Sequence, residues 1–505
     1  MEQSDTKNQL APEGQNTTSS YRSIFKATSL FGGIQVYQIL IRVIKAKFVA
    51  ILLGPAGMGI MGLYYSTLDL IKSVSTFGID RSAVRDISEA NGCKDNKRIG
   101  STVATVQRLV WLTGLLGLVI TLFLSPVLSR LTFGNSDFTW GFIILSITLL
   151  IDQLCAGQKV VLQGMRKLKN LAKASAIGAT IGLFVSIPLY YWLGVKGIVP
   201  AMVLSSITAM ILSWHFSHQI KYEKVVVTNK QALENGRSML RMGIAMSVSG
   251  ILVTLFAYIL RWFIRQQGGV EEVGLFAAGF TIMSTYVGMV FTAMSTDYYP
   301  RLAAVNKDNE KCKGIINQQG EIAVLILAPM VVSCIVFMPF IIRLIYSEKF
   351  LPAADYILWA ILGTMFKSAS WSISFSFLAK AESKLFIINE SFSNVRSLLF
   401  NLAGYYWGGL TGLGIAYLLN QFCYLIQVYI IAHKRYLFNF SRSFVTVFMF
   451  QFSVVMTSFI IIHSWNSHLA YIPLVILLIV SGGYSVRELD SRMGILQFVR
   501  NKLKK

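Results

Sequence analysis

Four polar side chains stand at helical spacing inside an otherwise apolar stretch near the start of the chain. Gln35, Gln38, Arg42 and Lys45 follow one another at i, i+3, i+7 and i+10, which places them on a single face of a helix. Arginine offers a planar fork of donors suited to phosphate oxygens, and lysine adds a mobile positive charge. The stripe therefore predicts a wet surface that binds an anionic, phosphate-like group.

Polar stripes recur later in the chain, around Asp69, around Lys367 and from Asn389 to Asn401. A charge at the centre of a membrane helix costs at least about 2.5–3.5 kcal/mol, so each should face water or a partner. The six basic residues that we expect to bind substrate are Arg42, Lys45, Lys72, Arg261, Lys367 and Arg396. Three acids, Asp69, Asp152 and Glu390, are candidates for ion coupling, because buried carboxylates carry protons in many transporters.

Several of these charges also have a structural interpretation. Lys72 can pair with Asp69, three residues earlier on the same helix. Arg261 lies toward the end of its apolar segment and can extend its side chain to the membrane surface. Glu390 can neutralise a neighbouring cation, so both interpretations stay open at these positions.

The sequence contains no arrangement typical of catalysis. Its five histidines and five cysteines lack triad or metal-ligand spacing, and no GxxxxGK[ST] nucleotide-binding loop occurs. We therefore expect no enzyme activity, no metal site and no cofactor.

The elements that carry these residues must be membrane helices. Hydrophobic residues make up 54% of the 505 residues and charged residues only 14%, with a mean hydropathy of +0.57. Soluble domains carry about 25% charge. The fold class is therefore an all-α polytopic membrane protein with about fourteen transmembrane helices. Breaks at glycine, proline and charge clusters place these spans at 25–52, 57–79, 101–124, 138–158, 170–193, 197–218, 239–263, 273–297, 316–344, 355–379, 385–407, 411–432, 443–463 and 468–486.

Lysine and arginine alternate strongly between the two sides of these spans. Of the 46 basic residues, 33 lie in the termini and in connections on one side, and five lie on the other. The positive-inside rule then predicts that both termini are cytoplasmic. Most of the net charge of +22 is explained by topology, so we expect no nucleic-acid partner.

One half of the chain resembles the other at a constant offset of 215 residues. The string Tyr190-Tyr191-Trp192 recurs as Tyr405-Tyr406-Trp407, and Gly54 and Gly59 recur as Gly269 and Gly274. Because six spans separate the copies, both should insert in the same orientation, related by a pseudo-two-fold axis along the membrane normal and enclosing a central cavity. The predicted organisation is a disordered cytoplasmic tail (1–21), a six-helix lobe (22–220), a linker (221–238), a second six-helix lobe (239–435), and a helix pair with a basic tail (436–505).

Four short motifs occur in a characteristic order along residues 22–435. They are Leu53-Gly54-Pro55-Ala56-Gly57-Met58-Gly59, Tyr299-Pro300-Arg301-Leu302, Lys349-Phe350, and Phe377-Leu378-Ala379-Lys380-Ala381 with Lys384. In these segments the chain resembles the Wzx-type O-antigen flippases of the multidrug/oligosaccharidyl-lipid/polysaccharide exporter superfamily. The Pro-Ala-Gly turn also resembles the enterobacterial common antigen branch. The longer tail and the last two spans depart from the many relatives that have twelve.

This resemblance implies a bacterial inner-membrane protein that moves a glycan repeat unit on undecaprenyl diphosphate to the periplasmic leaflet. Lys367 lies at a position where these flippases often have a lysine. Arg42 and Lys45 match only the general occurrence of basic residues in the first helix of these proteins. Implied partners are the lipid-linked oligosaccharide, membrane lipids, and candidate glycan polymerases and chain-length regulators. A multidrug exporter for cations, a lipid II flippase and a non-transporting scaffold are the alternatives.

Overall fold

The computed structural model describes residues 37–93, 95–223, 225–465 and 468–493. These residues form helices joined by short turns, and the described part of the chain contains no strand. Each of the fourteen predicted spans is mainly helical where it is described, which confirms the predicted fold class. The beginning of the first span and the predicted disordered tail lie outside the described residues.

The helices are numbered in chain order, beginning with α1 at residues 37–52. The following helices are α2 (Gly54–Ser75), α3 (Ile79–Gly92), α4 (Asn96–Phe133), α5 (Thr139–Gly164), α6 (Leu168–Leu193), α7 (Ile198–His218), α8 (Asn229–Asn235), α9 (Arg237–Thr281), α10 (Gly288–Ala304), α11 (Asn309–Ile345), α12 (Ala353–Ala379), α13 (Ser383–Tyr436), α14 (Arg442–Ser464) and α15 (Tyr471–Met493). A π-helical turn, Ile282–Val287, joins α9 to α10. Helix α13 contains two predicted spans and bends at Gly408 and Gly409. Helix α9 bends at Gly269 and contains the span 239–263 and the start of the span 273–297, which continues into α10.

Eight helical stretches of the described chain are long and apolar enough to cross a membrane. Three of them, Leu168–His218, Gly250–Ala304 and Ser383–Tyr436, each hold two predicted spans. Helices α2 and α12 fall outside this set because polar side chains such as Asp69 and Lys367 lower their hydropathy. The chain is therefore a multi-pass membrane protein, and the polar stripes around Asp69 and Lys367 lie on its less apolar helices.

The connection after the second span is more ordered than the sequence suggests. The charge pattern predicts that residues 81–98 form a cytoplasmic connection, but most of them belong to α3 or to the start of α4. Ile79, Ala83, Ile87 and Ala90 are all buried, and their spacing places them on one face of α3. An amphipathic helix buries its apolar stripe while its charges stay exposed, and a charge count alone cannot reveal this pattern.

The chain divides into two compact units. Among the described residues, unit 1 comprises 37–45, 75–123 and 143–246, and unit 2 comprises 46–74, 124–142 and 247–493. Unit 1 has an aliphatic core that includes Val103, Val106 and Leu109 of α4 together with Val160 and Val161 of α5. Unit 2 contains α11, which is buried along most of its length, and an aromatic core around Tyr298, Phe377 and Phe438.

The sequence repeat has matching backbone geometry at its two Tyr-Tyr-Trp turns. Gly194 has φ 54° and ψ −132°, and its counterpart Gly409 has φ 53° and ψ −134°. Such a backbone conformation is strained for any residue with a Cβ, so glycine is required in both copies. The aromatic residues before the two turns also match: the first tyrosine of each string is buried, and the two tryptophans are 76% and 82% exposed. Exposed tryptophan at a helix end is typical of a membrane-interface anchor.

A second repeated contact exchanges its partners between the copies. Tyr64 of α2 packs so closely on Gly141 of α5 that a Cβ at position 141 would overlap with the phenol. The positions 215 residues later are Gly279 and Tyr356, where the tyrosine of α12 packs on the glycine of α9. Both contacts lie within unit 2. The repeat therefore preserves a tyrosine-on-glycine contact while exchanging the helices that supply the two residues.

Buried polar contacts fasten the last two helices to each other. Gln451 of α14 is fully buried; its Nε2 donates to Ser481 O at 3.2 Å and to Ser485 Oγ at 2.8 Å. Ser481 Oγ donates back to Gln451 Oε1 at 2.7 Å. Between apolar helices in a membrane, such hydrogen bonds are the main specific attraction besides packing.

Replacing Gln451 with alanine should destabilise the α14–α15 pair, because three hydrogen bonds are lost and Ser481 and Ser485 lose their partner. Membrane hydrogen bonds contribute about 0.6 kcal/mol each on average, so we expect a loss of about 2 kcal/mol. A thermal-shift measurement on the purified protein in detergent checks this prediction. Gln266→Ala, on an exposed turn of α9, is the control and should leave the melting temperature unchanged.

Candidate functional site

Unit 1 contains a cavity of about 380 Å³ that we call the basic cavity. Three of its lining residues are basic: Arg42 and Lys45 on α1 and Lys159 on α5. No carboxylate is among the lining side chains of this part of the described chain. The remaining lining residues are Gln38, Ile41, Ala174, Ser175, Gly178, Ala179, Gly182, Ser205 and Ala209. The arrangement is suited to an anion.

Small side chains keep the basic cavity open on the side opposite α1. Gly178 and Gly182 of α6 face Ala209 and Ser205 of α7 at van der Waals distance, so the two helices pack closely without filling the space. Tyr37 Oη and Thr180 Oγ1 are 2.6 Å apart, a hydrogen bond that links α1 to α6. The basic side chains of α1 are thereby held beside a surface of small residues.

Lys159 is a lining residue that the sequence interpretation missed. The fourth span was predicted to end at residue 158, which assigned Lys159 to a cytoplasmic connection. Helix α5 continues to Gly164, so Lys159 lies within the helix. Its spacing of seven residues from Asp152 places both on the same helix face, and this was the available signal.

Unit 2 contains a second cavity, of about 490 Å³, that we call the polar cavity. Lys367 of α12 and Glu390 of α13 are its two charged lining residues. The other lining residues are Ser370, Trp371, Ser374, Phe375, Leu378, Phe386, Ser393, Asn394, Ser397, Tyr417, Asn420, Gln421 and Tyr424. Lys367 Nζ lies 5.1 Å from the ring centroid of Phe291, a cation–π distance. With one charge of each sign, this cavity is close to neutral.

Arg396 fastens the two halves of α13 together beside the polar cavity. Its Nε donates to Asn420 Oδ1 at 3.0 Å and its Nη1 to Gln427 Oε1 at 2.5 Å. Its Nη2 lies 3.4 Å from Ser393 Oγ and 3.5 Å from Asn420 O. Because Asn420 and Ser393 line the cavity, Arg396 orients part of its wall, and a direct substrate contact by Arg396 stays a prediction.

Glu390 belongs to the same hydrogen-bond network. Its carboxylate accepts a short hydrogen bond from Tyr424 Oη and a longer one, at 3.4 Å, from Asn389 Nδ2. Asn389 Oδ1 in turn accepts from Gln427 Nε2 at 2.7 Å, and Gln427 also accepts from Arg396. The network thus connects a carboxylate and a guanidinium through neutral side chains. Within the part of the chain that the structure describes, the two groups form no direct ion pair.

Arg261 has a separate environment in unit 2. Its Nη1 donates to Ala257 O at 3.1 Å, and its guanidinium lies 5.8 Å from the Phe280 ring centroid. Asp69 is close enough to stabilise its charge, while its buried Nε has no hydrogen-bond partner among the described residues. An unsatisfied donor on a buried cation is costly and is typical of a group that awaits a ligand or water.

The structure therefore distributes the predicted site residues over three places. Arg42 and Lys45 share the basic cavity, Lys367 and Glu390 share the polar cavity with Arg396 adjacent, and Arg261 lies near Asp69. Lys72 and Asp152 are half-buried and line neither cavity, and like Asp69 they interact with other parts of the protein. Their predicted roles in substrate binding and ion coupling stay predictions.

Comparison with known proteins identifies the family. Residues 48–355 match the family model described as "Polysaccharide biosynthesis protein", which is more than half of the chain. The chain belongs to the polysaccharide biosynthesis protein family. The family assignment agrees with the predicted resemblance to polysaccharide exporters, and the match runs from the end of α1 to the start of α12.

Individual relatives are distant. The lipid III flippase of Escherichia coli K12 is 20% identical over 384 residues, covering 73% of this chain and 88% of the relative. Among solved structures, an inward-facing multidrug resistance MATE family transporter of the MOP superfamily gives a TM-score of 0.68 at 18% identity, covering 81% of this chain and 97% of the other. The lipid II flippase MurJ gives 0.64 at 12% identity, covering 93% and 99%. The two likenesses to solved structures confirm the predicted fold class, a polytopic helical membrane protein.

Proposed function

We propose that this protein is a flippase for a glycan repeat unit, of O-antigen or a related surface polysaccharide, linked to undecaprenyl diphosphate. The observation that carries the proposal is the basic cavity, with Arg42, Lys45 and Lys159 in its wall and no acid among its lining residues. A diphosphate presents oxygens that arginine and lysine bind through charge-assisted hydrogen bonds. Membership of the polysaccharide biosynthesis protein family and the distant likeness to a lipid III flippase support the same substrate class.

In this proposal the substrate crosses the bacterial inner membrane from the cytoplasmic to the periplasmic leaflet, and both termini are cytoplasmic. The two six-helix lobes at 22–220 and 239–435 rock about their pseudo-two-fold axis, so that access alternates between the two sides. The positive-inside distribution of 33 against five basic residues supports the orientation. A glycan polymerase and a chain-length regulator are the proposed partners downstream.

The competing function is export of cationic drugs, because the MATE transporters share the fold. Organic cations need an acidic cavity, and the basic cavity has the opposite charge. Expression in a strain that lacks its surface-glycan flippase separates the two functions. We expect restored surface glycan and unchanged resistance to ethidium. Dye resistance without glycan rescue would contradict the proposal, and rescue only of a strain lacking its lipid II flippase would redirect it to peptidoglycan precursors.

Among the three candidate coupling residues, Glu390 is the one that lines the polar cavity, where Lys367 is the other charged lining residue. A proton on its carboxylate would weaken the charge-assisted hydrogen bond from Tyr424 and remove the only negative charge among the lining residues of the polar cavity, which it shares with Lys367. We therefore extend the proposal to proton coupling through this residue, with Asp69 and Asp152 as the other candidates.

In Glu390→Gln the amide oxygen should still accept the hydrogen bonds from Tyr424 and Asn389, while the side chain can no longer take up or release a proton. In proteoliposomes we expect the variant to flip lipid-linked glycan at a rate that no longer responds to an imposed pH gradient. Glu382→Gln, at the N-cap of α13, keeps the same chemistry away from the cavity and should respond as the wild type does. A wild-type rate that ignores the gradient, or a Glu390→Gln variant that follows it, would rule out this coupling role.

A further inference from the structure

The polar cavity of unit 2 is built from chemistry unlike that of the basic cavity. Apart from Lys367 and Glu390, its polar lining side chains are neutral hydroxyls and amides. Four serines, two asparagines, one glutamine and two tyrosines belong to this group: Ser370, Ser374, Ser393, Ser397, Asn394, Asn420, Gln421, Tyr417 and Tyr424. Hydroxyl and amide groups both donate and accept hydrogen bonds, as the hydroxyls of a sugar do. A diphosphate, which only accepts, is better served by cations.

Part of this lining is free to bind a ligand. Among the residues that the structure describes, the side-chain amides of Asn394 and Gln421 have no hydrogen-bond partner, although both face the cavity. By contrast, Asn420 and Ser393 are oriented by Arg396, which fixes the wall around them. The cavity therefore combines a rigid frame with two unengaged amides, the arrangement of a specific binding pocket.

Aromatic rings supply the remaining wall. Trp371 is half-buried and packs edge-on against Phe291, with ring centroids 5.5 Å apart, and against Phe375 at 5.0 Å. A ring held this way offers a rigid apolar surface together with a polar N–H. Sugar rings have an apolar face formed by their C–H groups, which packs on such a surface while the hydroxyls at the rim form hydrogen bonds.

We propose that the polar cavity of unit 2 is a carbohydrate-binding subsite, in which Asn394 and Gln421 read the sugar hydroxyls and Trp371 contacts a sugar face. This inference rests on the proposed flippase function and deepens it. It assigns sugar recognition to the near-neutral cavity and leaves diphosphate binding to the basic cavity of unit 1. The fold supports the transport cycle, while the amide side chains of α13 determine which glycan is accepted.

The test compares ligands that differ only in their sugar. Purified protein is incubated with undecaprenyl diphosphate and with the same lipid carrying N-acetylglucosamine, glucose or galactose, and binding is quantified by native mass spectrometry. We expect wild-type protein to prefer at least one sugar-carrying lipid by about tenfold or more, the effect of one well-formed hydrogen bond. Asn394→Ala/Gln421→Ala should lose that preference and still bind the sugar-free diphosphate. Gln266→Ala/Gln267→Ala, two exposed amides on α9, is the matched control.

The outcomes separate this inference from the proposed function. If wild-type protein binds none of the four lipids, the flippase proposal and this inference both fail. If it binds all four lipids equally, or if Asn394→Ala/Gln421→Ala keeps the full preference, the carbohydrate subsite is wrong while the flippase proposal stands. Loss of binding to the sugar-free lipid in the same variant would also overturn the inference, because the amides would then serve the diphosphate.

Discussion

Replacing Arg42 and Lys45 together with alanine should abolish transport of a diphosphate-linked glycan. Both side chains line the basic cavity. A hydrogen bond to a charged group contributes about 1.5–3 kcal/mol, so two lost contacts amount to about 3–6 kcal/mol. That range corresponds to a loss of about 10²- to 10⁴-fold in transport efficiency. Surface glycan in a flippase-null strain, measured at matched protein levels, checks the prediction.

Charge rather than shape should determine this effect. The charge-preserving exchange Arg42→Lys/Lys45→Arg should retain most of the activity, and Lys159→Ala alone should lower it by a smaller factor. Lys196→Ala removes an exposed lysine at the turn between α6 and α7 and should behave as wild type. Full rescue by Arg42→Ala/Lys45→Ala would show that transport does not depend on the basic side chains of this cavity.

The second large effect concerns a reciprocal glycine contact in unit 2. A Cβ at Gly59 would overlap with the carbonyl oxygen of Val270, and a Cβ at Gly274 would overlap with that of Pro55. These four positions are related by the 215-residue offset, so each copy places its glycine against the backbone of the other. Such a contact is expected where a pseudo-two-fold axis passes between the two copies.

Gly59→Ala or Gly274→Ala should force the two backbones apart, because a carbonyl oxygen cannot rotate away as a side chain does. Overpacking of this kind costs about 1–3 kcal/mol, and we expect a lower melting temperature and transport reduced by about tenfold or more. The double variant should cost much less than the sum of the singles, since one separation relieves both overlaps. Thermal-shift and transport assays on the same preparations measure both effects.

Gly314→Ala is the matched control for this pair. Gly314 lies within α11, and a Cβ there would meet nothing within 4 Å. Alanine at an open helical position should leave stability equal or raise it by about 0.5–1 kcal/mol. If Gly59→Ala and Gly274→Ala were as harmless as this control, the reciprocal contact would not limit the packing of the two segments.

Much of this architecture was predictable, because membrane helices and turns are encoded locally. Long apolar segments gave the fourteen spans, and the repeated Tyr-Tyr-Trp string predicted two turns whose glycines have nearly the same backbone angles. The pairing of Arg42 with Lys45 also followed from spacing, since residues three apart share a helix face. In these cases the controlling interaction acts within one helix or one turn.

Contacts between segments that are distant in the chain could not be predicted from the sequence. Lys159 was missed because the charge pattern could not show that α5 extends to Gly164. Arg396 was predicted to bind substrate, and this stays a prediction. Its observed partners Asn420 and Gln427 lie 24 and 31 residues further on and depend on the bend in α13, so spacing within one helix could not indicate them. The 215-residue offset relates Gly141 to Tyr356, but a single sequence does not reveal that Gly141 packs against a tyrosine and Tyr356 against a glycine. Packing between helices decides such details.

The most direct measurement is flipping by purified protein in proteoliposomes, followed for undecaprenyl-diphosphate-linked N-acetylglucosamine and for the same glycolipid with an uncharged linker. The account predicts rapid transbilayer movement of the diphosphate lipid, little movement of the uncharged lipid, and loss of the difference in Arg42→Ala/Lys45→Ala/Lys159→Ala. Equal movement of both lipids by wild-type protein, or a triple variant that still prefers the diphosphate, would contradict the account.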